Sequence, residues 1–159
     1  MRIAKTILMF SLLAGLSQVS FAEDQGAMQG KSHGHDMPSG ADTRTELKLP
    51  DQMKVMQKAM MRIHMDEVGR IADALAKSDL KTAANISKEH LGWNEEEAAK
   101  CEKVSKMTGQ EDFMRFAKNM HDKADSLAIA AGAGDRDKAL GHLAELIGAC
   151  NACHNKFRH

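Results

Sequence analysis

The apolar residues between Pro50 and Arg158 recur at intervals of three and four, which is the period of an amphipathic α-helix. No stretch alternates with period two for long enough to predict a strand. The chain has no Tyr and only one Trp, and Ala, Leu and Met carry its apolar load, which favours helices over sheets. The clearest row is spaced 3-4-3-4 and contains Met61, His64, Val68, Ile71 and Leu75.

Four helical segments with short links follow from this pattern. The first runs over residues 50–77, and the second runs over 80–107 with a possible break near Gly92. The third covers residues 111–131, and the fourth begins after Asp135, which can cap it. An antiparallel up-down-up-down bundle buries all four apolar faces, so we expect an all-α four-helix fold.

The N-terminus has the features of a secretory signal peptide, residues 1–22. It begins with basic residues, continues with an apolar stretch too short to span a membrane, and ends in small residues, so cleavage is expected after Ala22. Residues 23–48 are polar and predict a flexible leader, which leaves residues 49–159 as the folded domain. We expect a periplasmic protein whose mature form has no membrane span.

The leader also contains residue types that bind copper, namely His33 and His35 with Met28 and Met37 nearby. A polar segment with chance histidines is the simpler interpretation, and we adopt it.

Loss of the signal peptide would leave 20 basic and 22 acidic residues, because Arg2 and Lys5 are its only charged residues; the formal charge becomes −2. Nucleic-acid binding needs a concentrated basic face, so this balance argues against a nucleic-acid partner.

The last predicted helix contains Cys150-Asn151-Ala152-Cys153-His154, the C-x-x-C-H pattern of c-type haem attachment. Two thiols one helical turn apart can add to the two vinyl groups of one porphyrin, and the adjacent imidazole can bind the iron. We therefore expect one covalent haem c on Cys150 and Cys153, with His154 as an axial ligand. The row that is expected to face inward contains Leu140, Leu143, Ile147, Cys150, His154 and Phe157.

Other uses of a cysteine pair fit this sequence less well. A disulfide between Cys150 and Cys153 has awkward geometry on a helix. A zinc site would need a second ligand pair, and a thioredoxin-type motif would need a βαβ context. The chain has neither pattern.

The segment from Cys150 to Arg158 at the C-terminus resembles the cytochrome c′ family, especially its low-spin, methionine-ligated branch. The resemblance covers about residues 50–158. It implies a four-helix bundle, His154 as the proximal iron ligand and Arg158 near the haem edge. It also implies that one residue of the first helix faces the iron, a Met in the electron-carrying branch and an apolar residue in the gas-binding branch.

Three residues of the first helix are candidates for this sixth position. Met61 matches the position of the family's Met, Met60 is its neighbour, and His64 lies one turn further along. Met ligation raises the reduction potential, and His ligation lowers it. A site without a protein sixth ligand remains the fourth alternative.

The expected function is electron transfer between redox partner proteins of the periplasm, and the protein is expected to be no enzyme. The alternative is a five-coordinate haem protein that binds nitric oxide or carbon monoxide. A haem peroxidase is not favoured because the sequence shows no evident distal acid–base set. A homodimer is possible.

Three further groups are given structural interpretations. Cys101 lies on an apolar helix face and is expected to be a buried small hydrophobe. His121 is expected on the surface, with contact to a haem propionate as the alternative. The acidic run Glu95-Glu96-Glu97 after Asn94 predicts a capped, solvated helix start.

Overall fold

A computed structural model describes residues 40–159 of the chain, so the expected signal peptide and residues 23–39 of the leader lie outside the described residues. Within this range no helix is long and apolar enough to cross a membrane. The described residues form five α-helices and two short strands: β1 Thr45–Glu46, α1 Asp51–Ala76, α2 Leu80–Leu91, α3 Glu95–Thr108, α4 Glu111–Gly132, α5 Arg136–Lys156 and β2 Phe157–Arg158.

The predicted four-helix bundle is confirmed, with α2 and α3 together forming its second, broken helix. α4 packs against α2, α3 and α5, and α1 packs against α2 and α5. The break lies at Gly92, where a Cβ atom would come within 2.5 Å of the Lys88 carbonyl oxygen and 2.6 Å of Asp125 Oδ1. A side chain at this position would therefore collide with the backbone of the last turn of α2 and displace the Asp125 carboxylate of α4.

The helix ends follow the capping signals of the sequence. Asn94 accepts a hydrogen bond from the Glu97 amide at the start of α3, and Asp135 accepts one from the Lys138 amide at the start of α5. Gly109 ends α3 with φ +66°, a left-handed conformation that glycine adopts without steric cost.

The predicted apolar row of α1 is confirmed, but that of α5 is rotated. Leu140 and Ile147 are exposed, whereas Leu146 and Ala149 are buried. Packing against α4 buries a second row with helical spacing, which shares Leu143 with the predicted row and consists of Ala139, Leu143, Leu146 and Ala149. Cys150 and Cys153 lie half-buried on this side, whereas His154, which was predicted to face inward, is exposed at its edge because of this rotation.

The chain before α1 packs against the end of α5. β1 pairs in parallel with β2, with Thr45 opposite Phe157, and the Leu47 amide bonds to the Arg158 carbonyl oxygen at 2.8 Å. Leu47 is 1% exposed. Residues 40–48 were assigned to the flexible leader from the sequence, and here they form a strap that covers the C-terminal end of the bundle. The buried Leu47 supplies the physical reason for this order.

Candidate functional site

The last turns of α5 hold both cysteines of the C-x-x-C-H motif and its histidine. Cys150 and Cys153 are half-buried free thiols, one turn apart on one side of the helix. Cys150 packs against the core cluster centred on α1, α2 and α4, and Cys153 packs against the cluster that contains Leu47 and Phe157. Because α5 continues to Lys156, the motif keeps helical geometry throughout.

A cavity of about 360 Å³ lies beside this motif and is enclosed by α1, α3, α4, α5 and the strap. Its walls are mainly apolar, and they also carry thiol, thioether and imidazole groups. The residues that line it include Leu47, Met60, Met61, His64, Glu97, Cys101, Phe113, Phe116, Met120, His121, Cys150, Cys153, His154 and Phe157.

All three sequence-predicted candidates for the sixth position line this same cavity. Met60, Met61 and His64 are each half-buried on α1. Burial lowers the pKa of His64 below its ordinary value of 6.5, and the charge of His121 lowers it further. A neutral imidazole and two thioethers are therefore available from α1 on the wall of the cavity.

His121 and Glu97 were missed as cavity residues. His121 was expected on the surface, but it is 1% exposed. Its Nδ1 lies 2.7 Å from the Leu91 carbonyl oxygen. Because a carbonyl oxygen can only accept, Nδ1 is the donor and carries the ring proton. The signal in the sequence was its spacing of four from Ala117 and three from Ala124, which places it on the apolar face of α4.

Glu97 was expected to be solvated with the rest of its acidic run, and this prediction is wrong. Its side chain is 15% exposed, with Oε1 held by Lys100 at 2.8 Å. Its Oε2 is buried without a hydrogen-bond partner and lies 3.9 Å from His121 Nε2. The Asn94 cap orients the first turn of α3 so that this carboxylate points into the cavity instead of toward water.

The described thiols are all poor acids in this environment. Burial raises the pKa of Cys153 to about 11, and the neighbouring Cys150 contributes to that shift. Burial also raises the pKa of Cys101 to about 11, with smaller contributions from Glu97 and Cys153, and it raises the pKa of Cys150. The predicted burial of Cys101 is confirmed, and all three thiols are protonated at neutral pH.

Arg158 lies in a groove next to the cavity rather than in the cavity wall. The groove shares His154 and Met61 with the cavity. Arg158 Nη2 lies 3.5 Å from Glu46 and its Nε lies 3.7 Å from Asp42. Its guanidinium is thus held beside His154 by the strap.

The cavity meets the chemical needs of a covalently bound haem. It combines an apolar interior for the porphyrin, two thiols one turn apart, and an adjacent imidazole. Nitrogen and sulfur ligands for the iron are present on α1 as well as on α5. The cavity therefore suits a haem both through its nitrogen and sulfur donor atoms and through its apolar walls.

Comparison with known families agrees with this geometry. The sequence profile of the family described as cytochrome C′ matches residues 49–158. Neither a curated protein sequence nor a solved structure matches the chain. The match spans more than half of the chain, including every helix of the bundle. On this basis the chain belongs to the cytochrome c′ family, whose members are haem proteins that bind haem c covalently.

Proposed function

We propose that this protein is a periplasmic monohaem electron carrier. In this proposal Cys150 and Cys153 form thioethers to the haem, and His154 is the proximal iron ligand. The haem, when bound, supplies a one-electron redox couple. The observation that carries the proposal is that the thiols and the imidazole of α5 share one apolar cavity with the thioether of Met61.

The chain contributes three things to this function. The apolar walls exclude water, which keeps the change in solvation small when an electron arrives or leaves. Met61 is the proposed distal ligand, since it matches the family's Met position and lines both the cavity and the adjoining groove. Met60 and His64 are the alternatives, because they line the same cavity.

Arg158 is proposed as part of the haem environment, through the groove that it shares with His154. The strap carries Asp42 and Glu46, and these carboxylates hold the guanidinium in place. A cation next to a redox centre favours the state with more negative charge, which is the reduced state. Arg158 would thereby raise the reduction potential.

The absorption spectrum of the holoprotein tests the electron-carrier proposal. We expect low-spin spectra in both oxidation states, with the far-red charge-transfer band of methionine-ligated ferric haem. Met61→Ala should abolish that band, whereas Met60→Ala and His64→Gln should keep it. A five-coordinate, high-spin spectrum in the wild type would instead support the gas-binding alternative.

The structure also bears on peroxidase chemistry, because Glu97 and His121 bring an acid and a base to the cavity wall. We retain electron transfer, since a coordinated Met61 would block access of peroxide to the iron. A turnover assay with hydrogen peroxide should give no activity in the wild type. Turnover that disappears in Glu97→Gln would contradict this assignment.

A further inference from the structure

The first half of α1 carries a row of cations that form no ion pair with residues 40–159. Lys54, Lys58 and Arg62 follow one another at intervals of four and so lie on one side of the helix. Among the described residues no carboxylate lies within 4.0 Å of any of them. The cations of the second half of the same helix are paired, Arg70 with Glu67 and Lys77 at the helix end with Asp73.

This row is not explained by the stability of the helix. The positive end of the helix dipole makes cations unfavourable and acidic residues favourable within about the first turn. Lys54 lies only three residues after Asp51, the first residue of α1. The dipole therefore disfavours Lys54, and Lys58 and Arg62 gain no ion pair with the described residues, so helix stability does not account for the row.

The row lies at the mouth of the haem cavity. Lys58 and Arg62 line a groove of about 340 Å³ that also contains His154, the proposed iron ligand. Among the described residues no Asp or Glu lines this groove, although it contains Arg44 and Arg158 as well. Those two arginines are compensated by Asp42 and Glu46, so the uncompensated charge belongs to α1.

Two exposed apolar side chains flank the cations. Val55 is 67% exposed and Met65 is 63% exposed. Val55 precedes Lys58 by three residues, and Met65 follows Arg62 by three, so each is a neighbour of the row on the helix surface. Apolar contacts within a charged rim are the composition of a protein-docking surface.

We propose that Lys54, Val55, Lys58, Arg62 and Met65, here called the α1 basic face, dock an acidic electron-transfer protein at the mouth of the haem cavity. A second copy of this chain is a poor occupant, because a two-fold contact would set the row against its own copy and place like charges opposite each other. An acidic partner compensates the row and is steered toward the haem before contact. The inference rests on the electron-transfer function proposed above.

Charge reversal on the α1 basic face tests the proposal. The holoprotein is mixed with a reduced, strongly acidic plant-type ferredoxin, and the second-order rate of haem reduction is measured by stopped flow. Ionic strength is varied from about 0.01 M to about 1 M, over which the Debye length falls from about 30 Å to about 3 Å. We expect the wild-type rate to fall roughly tenfold or more across this range.

The test variant is Lys54→Glu with Lys58→Glu, and its matched control is Lys103→Glu with Lys138→Glu. Both pairs change the net charge equally, but the control lysines lie on α3 and α5 and line neither the cavity nor the groove. At low salt we expect the test variant to react roughly tenfold more slowly and to lose its salt dependence. The control variant should keep most of the wild-type rate.

Reduction by a neutral hydroquinone separates this proposal from the electron-transfer function. If the hydroquinone cannot reduce the wild-type haem, the electron-transfer function fails. The proposed docking surface is wrong if hydroquinone reduces all variants equally and the ferredoxin rate does not depend on salt. It is also wrong if the ferredoxin rate falls equally in the test and control variants. Equal slowing of the ferredoxin and hydroquinone reactions in the test variant, or a dimer in sedimentation that the test variant disrupts, also overturns the proposed docking surface.

Discussion

His121 donates a hydrogen bond from Nδ1 to the carbonyl oxygen of Leu91, over 2.7 Å. Leu91 is the last residue of α2, so this bond ties the break in the second bundle helix to α4. It also leaves Nε2 as the ring atom nearest to Glu97, at 3.9 Å from Oε2. One buried side chain thereby links the helix break to the cavity wall.

Replacement of His121 should destabilise the fold. His121→Leu replaces the ring with an apolar side chain of similar size and leaves the Leu91 carbonyl buried without its donor, at a cost of about 1–3 kcal/mol. Urea denaturation of the holoprotein measures this loss. His90→Leu is the control, because His90 is exposed, and it should change stability by less than about 0.5 kcal/mol. Equal stabilities of the two variants would show that the bond to Leu91 is unimportant.

The sequence predicted the helices well, since strong local signals set their boundaries. Asn94, Gly109 and Asp135 act through short-range contacts that a single sequence displays. The burial of Glu97 and His121 depends on contacts between α2, α3 and α4 across the break at Gly92. The spacing of His121 from Ala117 and Ala124 was a local signal of its burial, but no local pattern predicts the contacts that bury Glu97.

Dependence on tertiary contacts also explains why the buried face of α5 and the order of the strap were not predicted from the sequence. Ile147 and Leu146 are adjacent and both apolar, and only packing against the neighbouring helix decides that Leu146 is buried. The strap pairs Thr45 with Phe157, more than a hundred residues apart, and no local pattern predicts this pairing. The candidate site itself was predictable on α5, because the spacing of Cys150, Cys153 and His154 is local.

The holoprotein should contain one titratable thiol. Attachment of the haem would consume the thiols of Cys150 and Cys153, which leaves Cys101. Native holoprotein should react slowly with a thiol reagent, because Cys101 is 6% exposed and its pKa is raised to about 11. In denaturant one thiol per chain should react, and none in Cys101→Ser. Three reactive thiols in denatured holoprotein would contradict thioether attachment.

Truncation of Leu47 should weaken the end of the bundle around the haem. Leu47 is 1% exposed and lines the cavity, and replacing such a core leucine by alanine costs about 2–5 kcal/mol. Thermal denaturation of Leu47→Ala should show this loss. Lys48→Ala, which alters an exposed neighbour, should be nearly neutral. A neutral Leu47→Ala would mean that the strap does not contribute to the fold.

Stability should fall as the pH drops below about 6.5, in part because of His64. Burial lowers the pKa of His64 in the folded state below its ordinary value of 6.5, so the unfolded chain takes up a proton first. The native state therefore loses stability from that pH downward until the lowered folded pKa is reached. Iron ligation would also require the neutral ring, so the sign is the same if His64 is a ligand. Denaturation of His64→Gln between about pH 7 and about pH 5 should show a shallower loss than the wild type, and an unchanged slope would contradict the prediction.

The mass of the protein exported by a cytochrome-maturing bacterial strain tests the central claim directly. We expect a red protein whose denatured chain carries the added mass of one haem, with the modified peptide containing Cys150 and Cys153. Cys150→Ser combined with Cys153→Ser should remove the added mass. A colourless wild-type chain with the mass of polypeptide alone would contradict covalent haem attachment and, with it, the proposed electron transfer.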